Sequence, residues 1–121
     1  MADALEAFRT IHPRFGQVWP DAAAEWQTEE PSTLALLSGC AFATVELIRA
    51  SDPGLGRIFE LVERLLAEGD REVEEYVQTD FIEVLSNIWP RDLDPILWKR
   101  WLGPRSEAIA REWAQFWGAP D

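Results

Sequence analysis

Catalytic machinery is what this chain lacks most visibly: its 121 residues hold one cysteine and one histidine. Cys40 lies in the apolar run Leu36-Leu37-Ser38-Gly39-Cys40-Ala41-Phe42. A lone cysteine excludes an intrachain disulfide, and with no base beside it the thiol reads as buried and inert, as in a reducing compartment. His12 precedes Pro13 and has no second histidine or Glu-x-x-His partner, so it reads as a capping or surface residue and not as a metal ligand. Gly54 and Gly56 form no phosphate-binding fingerprint. Asp52 and Glu63 have the separation of first and last calcium ligands in a helix-loop-helix site, but Gly54, Gly56 and Phe59 supply nothing between them and Arg57 takes the glycine position. No stretch approaches the roughly 20 apolar residues that cross a bilayer. Asp3 and Glu6 stand near the start, where a secretion signal carries bases. Carboxylate pairs such as Asp80 with Glu83, or Glu72 with Glu75, have no apolar pocket in view and read as exposed charges. No catalytic, cofactor or metal site is expected, and the function concerns binding.

Basic charge is also scarce, with 22 acidic side chains against 11 basic ones. That balance argues against direct contact with nucleic acid phosphate and favours a basic partner. The excess is uneven. Residues 1–56 carry a net charge of -5, residues 57–88 one of -6, and residues 89–121 none. The middle of the chain is therefore its densest acidic source. A solvated helix surface explains this blandly; an electrostatic steering face explains it more sharply.

Apolar spacing is helical throughout, and no strand-like alternation exceeds a few residues. A short helix spans 4–11 with Leu5, Phe8 and Ile11, and a second opens at Pro20-Asp21 and ends near Trp26. Ser32 caps a long helix to about Ala50, whose stripe is Leu34, Leu37, Ala41, Val45 and Ile48, widened by Leu36, Phe42 and Leu47. Asp52-Pro53 starts the next helix, Trp89-Pro90 stops the chain, Asp94-Pro95 restarts it, and Gly103-Pro104 precedes a last helix bearing Ile109, Trp113, Phe116 and Trp117. The expected fold is all-α, with six or seven helices in antiparallel hairpins forming one domain over residues 1–121, an irregular bundle or short solenoid.

The centre of the chain is a helical hairpin. Ile58, Leu61, Val62, Leu65 and Leu66 form one apolar stripe, with Arg57, Glu60, Glu63 and Arg64 outside it. Gly69 is placed for a left-handed C-terminal cap, and Asp70 to accept from the N-H groups that open the next helix. There Val73, Val77, Phe81, Leu85 and Ile88 point inward, leaving Glu72, Glu75, Thr79, Ile82, Glu83 and Ser86 on or near the outer side.

The run Glu68-Gly69-Asp70-Arg71-Glu72-Val73, followed by Val77, Thr79 and Phe81-Ile82-Glu83-Val84-Leu85, resembles a signature of small helical immunity proteins from bacterial polymorphic-toxin loci. The likeness covers the central third to half of the chain. Tyr76 and Gln78 depart from the smaller or apolar residues of that pattern, and Asp80 from a small one. The resemblance implies a cytoplasmic, non-enzymatic protein that binds a cognate toxin and blocks its active site or substrate entry. With the charge density, it implies a partner with a basic surface met by Glu60, Glu63, Asp70, Glu72, Glu75, Thr79, Asp80, Ile82 and Glu83. Neither membrane nor nucleic acid is an expected partner.

Seven tryptophans remain. Trp98 and Trp101 are three apart, and Trp113 and Trp117 share a helix face with Phe116, which is the spacing of an aromatic core. Tryptophan beside cations in Trp98-Lys99-Arg100-Trp101 is equally the composition of a binding hot spot. Trp19 and Trp26 are expected to close the core's edge. Two other classes stay open: a helical adaptor or assembly subunit binding through the Trp-rich end, and an acidic mimic of nucleic acid.

Overall fold

Helix signals written locally in the sequence position most of the structure. The computed structural model describes residues 1–116 and 118, except the side chains of residues 89–92 and 95. The elements are α1 (Ala2–Ile11), α2 (Pro13–Gly16), α3 (Val18–Trp26), α4 (Thr33–Arg49), α5 (Leu55–Glu68), α6 (Arg71–Tyr76), a π-helical segment (Val77–Ile82), α7 (Glu83–Asp92), α8 (Pro95–Trp98), a 3-10 turn (Lys99–Trp101) and α9 (Pro104–Phe116). No strand occurs among the described residues, so the fold is all-α as expected.

Capping side chains set the starts. Ser32 Oγ accepts from the Ala35 N-H at 3.1 Å, Asp70 Oδ1 from the Val73 N-H at 2.9 Å, and Asp94 Oδ1 from the Ile96 N-H at 3.0 Å. Each satisfies a donor that the first helical turn leaves free. Gly69 serves differently from expectation. Its backbone is extended, at φ -67° and ψ 156°. Glycine is needed there for close approach, because a Cβ would lie 2.5 Å from the Leu65 carbonyl oxygen and 2.8 Å from Val73 Cγ1. The left-handed residues other than glycine among those described are Gln27, which closes α3, and Ser51, which follows α4.

The core forms where α1, α4 and α5 meet the rod made by α6, the π segment and α7. Phe8, Phe15, Leu37, Ile48, Leu55, Ile58, Val62, Val77, Phe81, Ile82 and Leu85 are fully buried. Phe8 links two ends of the chain, its ring centroid 6.3 Å from Phe15 and 5.3 Å from Phe81. α9 closes one side by packing on α5, α7 and the π segment.

Three expectations about the helices change. Leu34 and Phe42, read as part of the buried α4 stripe, are exposed, because the helix turns Cys40, Ala43 and Thr44 inward with the rest of the stripe. Helix α7 continues past Pro90 to Asp92. A proline that close to a helix end removes only one late backbone hydrogen bond. Trp26, expected at the core's edge, is exposed. Trp98 is buried, and Trp19, Trp101 and Trp113 are half-buried against the core. The side chain of Trp89, and Trp117 altogether, lie outside the described residues.

Candidate functional site

The acidic face expected on the central hairpin splits into three parts with different fates. Asp70, Glu72, Glu75 and Thr79 are exposed around the α5–α6 turn and along α6, and Glu60 is exposed on α5. Glu68, Glu74 and Tyr76 join them. Arg71 is the only cation from 68 to 79. The contacts here are those of a solvated surface: Arg71 Nε to Glu75 Oε1 at 3.1 Å, the amino terminus to Glu72 Oε1 at 3.7 Å, and Gln78 Nε2 to Glu74 Oε1 at 3.1 Å. Exposed pairs of this kind hold their groups weakly and leave them open to a competitor. The Thr79 hydroxyl donates back to the Glu75 carbonyl, so only its acceptor side faces outward.

Glu63 is not part of that face. Its Oε1 accepts from the Arg105 N-H at 2.6 Å, and its Oε2 from the Ser106 N-H at 3.1 Å and the Ser106 hydroxyl at 3.0 Å. The carboxylate thus caps the free N-H groups at the start of α9, where the helix dipole also favours negative charge. Gly103 admits it: a Cβ there would lie 2.5 Å from Glu63 Cδ.

Asp80 and Ile82 turn inward, against expectation. The π segment widens the helical turn, so positions 80, 81 and 82 are all buried instead of position 81 alone. Ile82 is 2% exposed and Asp80 8%. Burial pushes the Asp80 carboxyl above the usual carboxylate range, and one oxygen, Oδ2, has no hydrogen-bond partner among the described residues. Half-buried Glu83 is raised as well, first by burial and then by the Asp80 charge. These are two strained acids, unlike the freely solvated charges read from the sequence. The π geometry also ties α9 down. The Gln78 carbonyl accepts from the Glu83 N-H, and again from the Trp113 indole N-H at 3.1 Å.

A raised carboxyl pKa means that ionisation opposes folding. Above the ordinary carboxylate range the unfolded chain has released the proton that the folded chain still holds, so this share of stability is lost as pH rises through the folded-state value. Asp80→Asn is therefore expected to raise the unfolding free energy at pH 7. The gain should shrink as pH falls and vanish only below the ordinary carboxylate range, as urea titrations at pH 7 and at about pH 3 would show. Side-chain NMR should find Glu83 titrating lower in the variant. Asp52 has the opposite sign: its carboxyl is held low, first by the Gly54 N-H and then by His12, and its contribution disappears as pH falls.

His12 joins two loops and leaves no nitrogen for chemistry. Its Nδ1 accepts from the Arg14 N-H at 3.0 Å, capping α2, so Nε2 carries the hydrogen and donates to Asp52 Oδ2 at 2.9 Å. With both nitrogens engaged, the ring has no position from which to deprotonate a nucleophile. Cys40 is wholly buried, and burial pushes its thiol up to about 12 against a smaller opposing pull from Arg14. No group of three or more metal-binding side chains occurs among the described residues, and no helix among them is long and apolar enough to cross a membrane.

Phe116, expected in the aromatic core, is exposed, as are Ile96 and Leu97. Exposed too, and assigned to no surface by the sequence, are four further apolar residues, Tyr76, Trp26, Leu34 and Phe42. For Tyr76 a signal existed, an aromatic amid Glu72, Glu74 and Glu75. The other three sit at helical positions where the apolar pattern points inward.

The described residues define an all-helical protein. Residues 4–118 match the family described as "Domain of unknown function (DUF7674)", and the chain belongs to it. No curated protein and no solved structure gives a significant match.

Proposed function

We propose that this chain is an immunity-type protein that acts in the bacterial cytoplasm by binding a cognate toxin domain with a basic surface and blocking its active site or substrate entry. The observation that carries the reading is the exposed acidic ridge of Glu68, Asp70, Glu72, Glu74 and Glu75, in which Tyr76 and Thr79 are embedded and Arg71 is the one basic side chain between residues 68 and 79. The likeness of residues 68–85 to the immunity signature supports the same face. Aligned carboxylates speed encounter with a cationic cleft, and the tyrosine supplies an amphipathic contact that excludes water. Asp80, Ile82 and Glu63 act behind this face, as packing and cap.

The test begins with capture of the tagged protein from its native cells under high-salt washing. The partner is then purified and titrated. Glu72→Lys with Glu75→Lys is expected to weaken that partner about tenfold or more, chiefly through slower association, while the denaturation midpoint stays unchanged. Unaltered affinity in a folded variant would remove this face from consideration. Capture of many basic proteins, all released by salt, would identify a nucleic-acid mimic instead.

A further inference from the structure

The second surface lies on the α3–α4 hairpin, apart from the acidic ridge of α6. Trp26, Leu34 and Phe42 are 64%, 56% and 57% exposed. Leu34 and Phe42 lie two turns apart on one helix, a rise of about 12 Å. Helix α3 runs antiparallel beside them. Val18 at its start abuts Gly39, where a Cβ would lie 2.6 Å from Val18 Cγ1, and the short connection 27–32 brings Trp26 at its end back toward the Leu34 turn. Large apolar groups clustered on a helix pair mark an interaction site, whereas single ones are ordinary.

Charge specifies the occupant. From Phe15 to Ile48 the sequence contains no lysine or arginine, while Glu25, Glu29 and Glu30 stand exposed around Trp26 and the connection to α4. At the Trp26 end the apolar patch is bordered by carboxylates, while beyond Phe42, Arg14 pairs with Glu46 and Arg49 stands exposed. The acidic end matches a helix with an apolar stripe and flanking cations.

We propose that the outer face of the α3–α4 hairpin is a docking surface for a lysine- or arginine-rich amphipathic helix of a partner protein. Trp26, Leu34 and Phe42 take the apolar stripe, and the acids of the connection take the cations. This surface stands on its own observations and does not rest on the toxin-binding reading.

The probe is a synthetic 18-residue helix of lysine and leucine with all its leucines on one face, titrated into the 15N-labelled protein. A shuffled peptide of the same composition serves as control. Shifts concentrated between residues 21 and 46, with affinity falling about tenfold in Phe42→Ser and in Trp26→Ala, are expected. Glu72→Lys with Glu75→Lys should leave that affinity within about twofold, because rim charges remote from the contact add little. Equal binding of the shuffled peptide, or shifts spread over the acids of α6, would reduce the effect to general electrostatics and overturn the proposal. So would a concentration-dependent dimer lost in Phe42→Ser, which would make a second copy of the chain the occupant. Both variants replace exposed side chains, and an unchanged denaturation midpoint confirms that the fold persists.

Discussion

Glu63→Ala is expected to lower the unfolding free energy by about 3 kcal/mol, and the melting temperature by about 10 °C. The carboxylate accepts three hydrogen bonds, two from backbone N-H groups at the start of α9 and one from the Ser106 hydroxyl, and Ser106 is fully buried. Charge-assisted bonds of this kind contribute more than neutral ones, and truncation leaves the N-H groups without their acceptor. The Arg105 ion pair is a minor part of the effect. Its guanidinium stands 3.9 Å from Oε1 and is half exposed, so Arg105→Ala should cost under about 0.5 kcal/mol. A double-mutant cycle between Glu63→Ala and Ser106→Ala should show coupling of about 1 kcal/mol or more. Equal losses in Glu63→Ala and Arg105→Ala would mean that the exposed ion pair, and not the cap, holds α9 to α5.

That cap also shows where the sequence stops being readable. Ser32, Asp70 and Asp94 act on N-H groups two or three residues away, so their roles follow from local chain geometry and could be read directly. Glu63 does the same work 43 residues away, at Ser106, and nothing near it announces the contact. It therefore read as one more outward charge. Asp80 and Ile82 went astray for a different reason. Apolar periodicity assumes 3.6 residues per turn, and the π segment breaks that period for a single turn without any residue type that signals it. The all-α class, the hairpin at Gly69-Asp70 and the capping role of His12 survive because each rests on local spacing. Leu34 and Phe42 were misplaced because an apolar side chain is ordinarily evidence for the core, and only the packed neighbours of α4 show which of its apolar residues are left outside.

The π segment must then be held by something stronger than local preference, and Phe8 is the residue that tests this. Phe8→Ala is expected to cost about 4 kcal/mol, the largest loss of any single substitution considered for this chain. Its side chain is fully buried, and its ring packs against Phe81 in the π segment at 5.3 Å and Phe15 at 6.3 Å. Truncation removes the burial and leaves a cavity among α1, α2 and the rod. Rigid helices close such a cavity poorly. An α-helical register through 77–82 would carry one residue fewer per wide turn and draw Asp80 or Ile82 away from α4. The wide turn therefore depends on the aromatic packing that Phe81 finds in Phe8. Phe8→Leu, which keeps most of the volume, should recover more than half of the lost stability, and its backbone amide shifts at 77–82 should match the wild type. Phe8→Ala should shift those amides even under native conditions, together with the Trp113 indole N-H that bonds to the Gln78 carbonyl. An alanine variant destabilised by the full amount with unshifted amides would show that the π turn is fixed by α4 and α9 alone.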